Sequence, residues 1–163
     1  AKGYGMGDSL VEQDAVATAA DLMARAGDKL MLPVDVVLAD AFSADARTRI
    51  ALPNEVQPGW RVLDIGPETV RAFSDVIAKA GTVIWNGPMG VFELAPFAEG
   101  TFAIARALAA SNAMSIVGGG DSAAAVQESG VAEQIGHIST GGGASLEFLE
   151  GLELPGVAVL QDK

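Results

Sequence analysis

The sequence predicts an α/β fold, a parallel sheet flanked by helices in three layers. Three observations predict it. Short apolar runs alternate with amphipathic helical patterns, a rhythm that implies parallel strands joined by helices. Glycine runs stand between an apolar strand and a helix at Gly118-Gly119-Gly120-Asp121-Ser122 and again at Thr140-Gly141-Gly142-Gly143-Ala144-Ser145. The run Val83-Ile84-Trp85 stops at Asn86, passes into Gly87-Pro88-Met89-Gly90 and closes on Glu93. That is how a buried strand delivers its end to a ligand.

Taken in order, Ser9 and Glu12 form a capping-box pattern ahead of Val11, Ala15, Ala19, Leu22, Met23 and Ala26, with Gly27 at the C-terminal cap. This spacing predicts a helix of about five turns. Leu30 to Leu38 is valine-rich and reads as a strand buried on both faces, starting near Pro33 because proline cannot donate within a ladder. Residues 43 to 60 carry Pro53, Pro58 and Gly59 and read as a long excursion, followed by a short strand at Arg61 to Ile65. Pro67 opens a helix whose Val70, Phe73 and Ile77 share one face, and Gly81 ends it. The strand Thr82 to Trp85 comes next, then a helix from Pro96 with a stripe of Phe97, Thr101, Ile104, Ala105 and Leu108, then the strand Met114 to Val117. A helix from Asp121 to Ser129, a strand from Ile135 to Ser139 and a helix from Ala144 to Glu150 complete the alternation. Gly156 to Leu160 reads as an edge strand, or, with the residues up to 163, as a tail that docks on something outside this chain. No repeat or linker divides the sequence, so residues 1–163 read as one domain.

The 163 residues are half hydrophobic, enough for a sizeable core. Ten basic residues against 21 acidic ones give a net charge of −11, which opposes the counterion-release binding used on nucleic acid and the polybasic binding used on membranes. The chain has no cysteine, so disulfides and thiolate metal sites are excluded, and a cytoplasmic setting is expected. No run approaches the roughly 20 apolar residues of a membrane span, and Ala1-Lys2-Gly3-Tyr4-Gly5 lacks the pattern of a signal peptide. Ala1 is not a translation start, and a fragment of a longer chain is expected.

Ligands of parallel α/β folds bind outside the carboxyl ends of the strands, where all three glycine loops fall. Glycine lets backbone N–H groups approach an anion, and a helix starting at Asp121 adds its dipole, so phosphate is expected there. A tight strand-to-helix turn is the plainer reading of one such loop. An acid at a helix start is ordinarily a cap. Beside a phosphate cradle, Asp121 repels the anion unless a cation stands between them, so it reads as a carboxylate for the Mg²⁺ of a nucleotide. Glu93, seven residues past Asn86, reads either as a solvated loop acid or as a partner of sugar hydroxyls. Gly141 to Gly143 offer N–H donors without an acid and suit a phosphoryl group in transfer. His137, the only histidine, reads as structural, and Trp85 and Trp60 as core and cover. The Walker pattern Gly-x-x-x-x-Gly-Lys-Ser/Thr is absent.

The chain closely resembles the C-terminal part of phosphoglycerate kinases. Trp85 to Glu93, Gly118 to Ser122 and Ser139 to Ser145 match that family's nucleotide-domain motifs in order. Leu32-Pro33-Val34-Asp35, Leu63-Asp64-Ile65-Gly66-Pro67 and Leu154-Pro155-Gly156-Val157 agree as well. The resemblance implies a Rossmann-like, incomplete C-terminal domain of a two-domain kinase. It implies reversible phosphoryl transfer between 1,3-bisphosphoglycerate and Mg-ADP, giving 3-phosphoglycerate and Mg-ATP in glycolysis. By that resemblance Glu93 binds the ribose, and Pro88, Val91, Leu63 and Phe42 line the adenine side. Asn86 and Gly87 approach the nucleotide phosphates, Gly119, Gly120 and Ser122 meet phosphate, Asp121 holds Mg²⁺, and Gly141, Gly142 and Gly143 steady the transferring group. Two positions depart from the pattern: Ser122 stands for threonine, and Val62 stands for a glycine, which narrows the adenine side.

Relative to that family the chain lacks the triose-phosphate-binding domain and a phosphate-contacting lysine. By itself it is therefore expected to show no kinase turnover and weakened nucleotide affinity, and to self-associate through an exposed sheet edge or require the rest of its parent. A non-catalytic nucleotide- or phosphate-binding α/β module is the rival reading.

Overall fold

A computed structural model describes residues 1–160; Gln161, Asp162 and Lys163, the end of the expected tail, lie outside the described residues. The chain separates into two units, one made of residues 1–73 and 89–101, the other of residues 74–88 and those from 102 onward.

In the first unit, helix α1 (Val16–Ala26) precedes strands β1 (Val36–Ala39), β2 (Thr48–Ala51) and β3 (Arg61–Ile65). The strands form an antiparallel sheet in the order β2-β1-β3. Alternation of strands and helices does not anticipate this sheet. Strand β2 lies inside the segment read as an excursion, because four residues carrying Thr48 and Arg49 give too short an apolar signal. Strand β1 starts at Val36 instead of near Pro33, since the Val34 and Asp35 N–H groups donate to the Thr69 hydroxyl, at 3.0 and 3.1 Å, and not to a neighbouring strand.

Ser9 does not open α1. A 3-10 turn at Gln13–Ala15 does, and the Ser9 hydroxyl instead accepts the Val62 N–H at 3.0 Å. The helix is correspondingly shorter than its apolar series and buries none of its residues. Gly27 ends it as expected, with φ +51° and its N–H on the Met23 carbonyl.

Val36, Leu38, Ala51 and Val56 form one apolar cluster on this sheet, with Trp60 and Val62 packed against it. A second joins Ala39, Leu63 and Phe97. Between Val37 and Leu38 the β1–β3 register slips: Val37 faces Asp64 and Leu38 faces Val62, so Leu63 drops out of the ladder. Its freed carbonyl accepts the Val91 N–H at 2.9 Å.

Helix α2 (Pro67–Ile77) begins with proline at its first position, where no N–H is needed. Its next two N–H groups, on Glu68 and Thr69, donate to the buried Asp35 carboxylate at 3.0 and 2.7 Å. Burial works to raise the pKa of Asp35, but the Thr69 hydroxyl and these N–H donors outweigh it and hold the group below its ordinary value. Gly66 is required here, because a Cβ would run into the Asp35 carboxyl group.

In the second unit, strands β4 (Thr82–Trp85), β5 (Met114–Gly118) and β6 (His137–Ser139) form the expected parallel sheet, ordered β4-β5-β6. Helices α3 (Glu99–Ala110) and α4 (Gly120–Glu128) follow β4 and β5 in sequence, and α5 (Gly142–Leu149) follows β6. Trp85 pairs with Val117, and Gly118 with Ser139, so the three carboxyl ends finish nearly level. His137 is exposed at the start of β6 and is not a core histidine. The edge strand expected at Gly156 to Leu160 is instead a short helix, α6 (Pro155–Ala158), because Pro155 presets a helical turn closed by Val157 and Ala158 N–H groups on the Leu154 carbonyl. Among the described residues no helix is long and apolar enough to cross a membrane.

Candidate functional site

The level strand ends of the second unit open onto a cavity of about 330 Å³. It is lined by Asn86 and Gly87 after β4, Gly118 to Ser122 after β5, and Thr140, Gly142, Gly143 and Leu146 after β6. All three loops singled out from sequence meet there.

Two helices start at this cavity. Helix α4 begins at Gly120 with Gly119 as its N-cap, at φ +98° and ψ 147°, a conformation essentially confined to glycine. Helix α5 begins at Gly142 with Gly141 as its N-cap. The first N–H groups of a helix have no intrahelical acceptor, and the dipole adds roughly half a positive charge at each start. Two such starts turn partial positive charge toward one glycine-lined cavity.

The loops are fitted to each other. A Cβ on Gly142 would lie 2.8 Å from the Gly119 Cα and 3.0 Å from Asn86 Oδ1, so the α5 start reaches the cradle only without a side chain. The Gly119 N–H donates to the Ser139 carbonyl at 2.9 Å, tying the end of β6 to the loop after β5. Gly119 thus contributes its conformation and its bare Cα, while its N–H is spent on the scaffold.

Gly87, at φ +119°, is held on both sides. Its N–H donates to the Ser122 hydroxyl at 2.6 Å, and its carbonyl accepts the Trp85 indole N–H at 2.6 Å. Ser122 is almost fully buried, so its hydroxyl braces the loop from beneath. Trp85 was legible as a core residue; its second duty, fixing the peptide after Asn86, was not.

Asp121, exposed in the first turn of α4, is the sole carboxylate among the cavity's lining residues. Among the described residues no group of three or more His, Cys, Asp or Glu side chains is placed to hold a metal ion. A single carboxylate beside a phosphate cradle fits a Mg²⁺ that arrives on a nucleotide, since that ion takes one or two carboxylates, phosphate oxygens and water.

The remaining sequence-derived residues divide between the units. Pro88 belongs to the second; Phe42, Leu63, Val91 and Glu93 belong to the first. There Leu63 and Val91 are brought together by their backbone hydrogen bond, in the cluster of Ala39 and Phe97. Phe42 and Glu93 are exposed. Val62, expected to narrow the adenine side, packs against the cluster of Val36 and Leu38.

The family model for phosphoglycerate kinase matches residues 1–152. The chain belongs to the phosphoglycerate kinase family. It is 66% identical to the phosphoglycerate kinase of Roseiflexus sp. (strain RS-1) over 165 residues, covering 99% of this chain and 42% of that protein. A solved phosphoglycerate kinase from Coxiella burnetii superposes with a TM-score of 0.90 at 43% identity, over 96% of this chain and 41% of that one. The enzyme from Pyrococcus horikoshii OT3 gives a TM-score of 0.76 at 34% identity, over 89% of this chain and 36% of its own. The chain thus spans about 42% of the length of the curated phosphoglycerate kinase relatives it matches.

Proposed function

We propose that the protein supplies the nucleotide side of a phosphoglycerate kinase reaction, the reversible glycolytic transfer of a phosphoryl group between 1,3-bisphosphoglycerate and Mg-ADP that yields 3-phosphoglycerate and Mg-ATP. The observation that carries the reading is the convergence of the α4 and α5 starts on one cavity with Asp121 at its rim. Family membership supports the reaction and a cytoplasmic setting.

Transfer from an acyl phosphate to a phosphate oxygen of ADP requires no proton to be removed, so it calls for positioning and charge neutralisation and not for a base. The lining matches that demand. Backbone donors at Gly120 and Asp121 cradle the nucleotide phosphates, and those at Gly142 and Gly143 meet charge on the group in transfer. Asp121 accepts the Mg²⁺ that travels with the nucleotide. Asn86 faces the same space, aimed by the clamp on Gly87. Glu93 serves the ribose, and Leu63, Val91, Pro88 and Phe42 the base, as the family resemblance implies. The 3-phosphoglycerate side, and turnover itself, require residues beyond these 163.

Calorimetric titration with ADP in the presence and absence of Mg²⁺ tests the assignment. The unchanged chain should bind Mg-ADP about tenfold more tightly than metal-free ADP, equivalent to about 1.4 kcal/mol, and Asp121→Asn should erase that preference. Full Mg²⁺ preference in the variant would overturn the role given to Asp121.

A further inference from the structure

We propose that Thr101, a residue with no place among the nucleotide contacts, is a positioning residue that sets the loop of residues 89–93 for the base and ribose of the nucleotide. The proposal rests on the kinase reading above, because that loop carries Val91 and Glu93. Thr101 is completely buried in the first turn of α3. Its hydroxyl oxygen accepts two consecutive N–H groups of the loop, from Met89 at 3.0 Å and Gly90 at 3.2 Å. The next N–H along, on Val91, goes to the Leu63 carbonyl released by the β3 register slip. Three successive amides are therefore directed by partners fixed elsewhere in the same unit.

A wedge completes the arrangement. The Asp64 carboxylate accepts the Gly100 N–H at 2.8 Å and lies so close to Gly90 and Gly100 that a Cβ on either would collide with it. Gly90 is thus pressed between Asp64 on one side and the Thr101 hydroxyl on the other. A loop without regular structure has few rotamers or ladders to define it, so these bonds decide where Val91 and Glu93 stand. Replacing the Thr101 hydroxyl by a methyl group keeps the volume and leaves two part-buried donors without their acceptor, a change that releases the loop and leaves the cradle lined by the other unit intact.

Two probes separate this role from a purely structural one: Mg-ADP, which carries base and ribose, and Mg-pyrophosphate, which carries phosphate alone. Thr101→Val should weaken Mg-ADP binding about tenfold while leaving Mg-pyrophosphate binding unchanged, and Thr101→Ser should restore it. Equal losses for both ligands, or no loss for Mg-ADP, would overturn the proposal. A chain that binds neither probe before mutation would overturn the kinase reading and this proposal with it. Hydrogen exchange on the unaltered chain gives a readout independent of the variant's folding: Met89 and Gly90 amides should be protected, and free exchange at both would contradict the anchoring.

Discussion

Gly142 shows how little space the strand-end loops leave each other. A methyl group there would press on the Gly119 Cα and the Asn86 amide at once, and both belong to loops tied down by hydrogen bonds. The α5 start must then retreat. Gly142→Ala is expected to cost about 1–3 kcal/mol of stability through overpacking and to weaken Mg-ADP binding, although alanine ordinarily favours a helix over glycine. Thermal unfolding and a nucleotide titration check it, and a variant more stable and equally tight would contradict the close contact. The sequence shows a triple glycine at this position and an acid-free helix start. It does not show which glycine is needed for conformation, which for approach and which for neither. Within this run Gly142 is the close-packed one, while a Cβ on Gly141 would make only ordinary contact and one on Gly143 would meet open space; the glycine needed for its conformation is Gly119, in the run after β5.

Among the elements, two buried aspartates cap helices from a distance and respond oppositely to pH. Asp35 holds the α2 start and has a lowered pKa, so its contribution is present above its unfolded value of 3.8 and is lost as pH falls through the depressed one. Asp64 holds the α3 start, but burial pushes its pKa up to about 6, the Gly100 and Ile65 N–H donors pull it down, and the nearby Glu99 charge raises it again. A carboxyl group that binds its proton more tightly when folded stabilises most below pH 3.8, and that contribution is lost as pH rises through about 6. The difference amounts to about 2–3 kcal/mol. Urea unfolding of the chain and of Asp64→Asn should therefore diverge between about pH 4 and pH 7, the variant gaining relative to the unaltered chain as pH rises. Parallel profiles would contradict a carboxyl group whose burial outweighs its two N–H donors. These caps explain where sequence reading succeeded and failed. Proline at 67 and glycine at 27 carry local signals, and both helix boundaries were legible. The Ser9 capping box was not formed because a long-range partner, the Val62 N–H, took the hydroxyl instead. Strand β2 and the antiparallel sheet were hidden for a related reason: pairing across an excursion leaves little local periodicity.

For the molecule as a whole, the parallel sheet and its three strand-end loops were readable because each loop is punctuated by glycine, and strand ends in such a sheet converge. The family follows from the same residues. What local pattern could not show is the division of labour around the cavity: Ser122 and the Gly119 N–H brace the loops, while the helix starts line the open space. The central claim is that phosphate is received by the α4 and α5 starts together. Amide NMR spectra of the chain titrated with Mg-ADP test it most directly. Saturable shifts at Gly120, Asp121, Gly142 and Gly143 are the expected result. Saturable binding that leaves either helix start unmoved would contradict it.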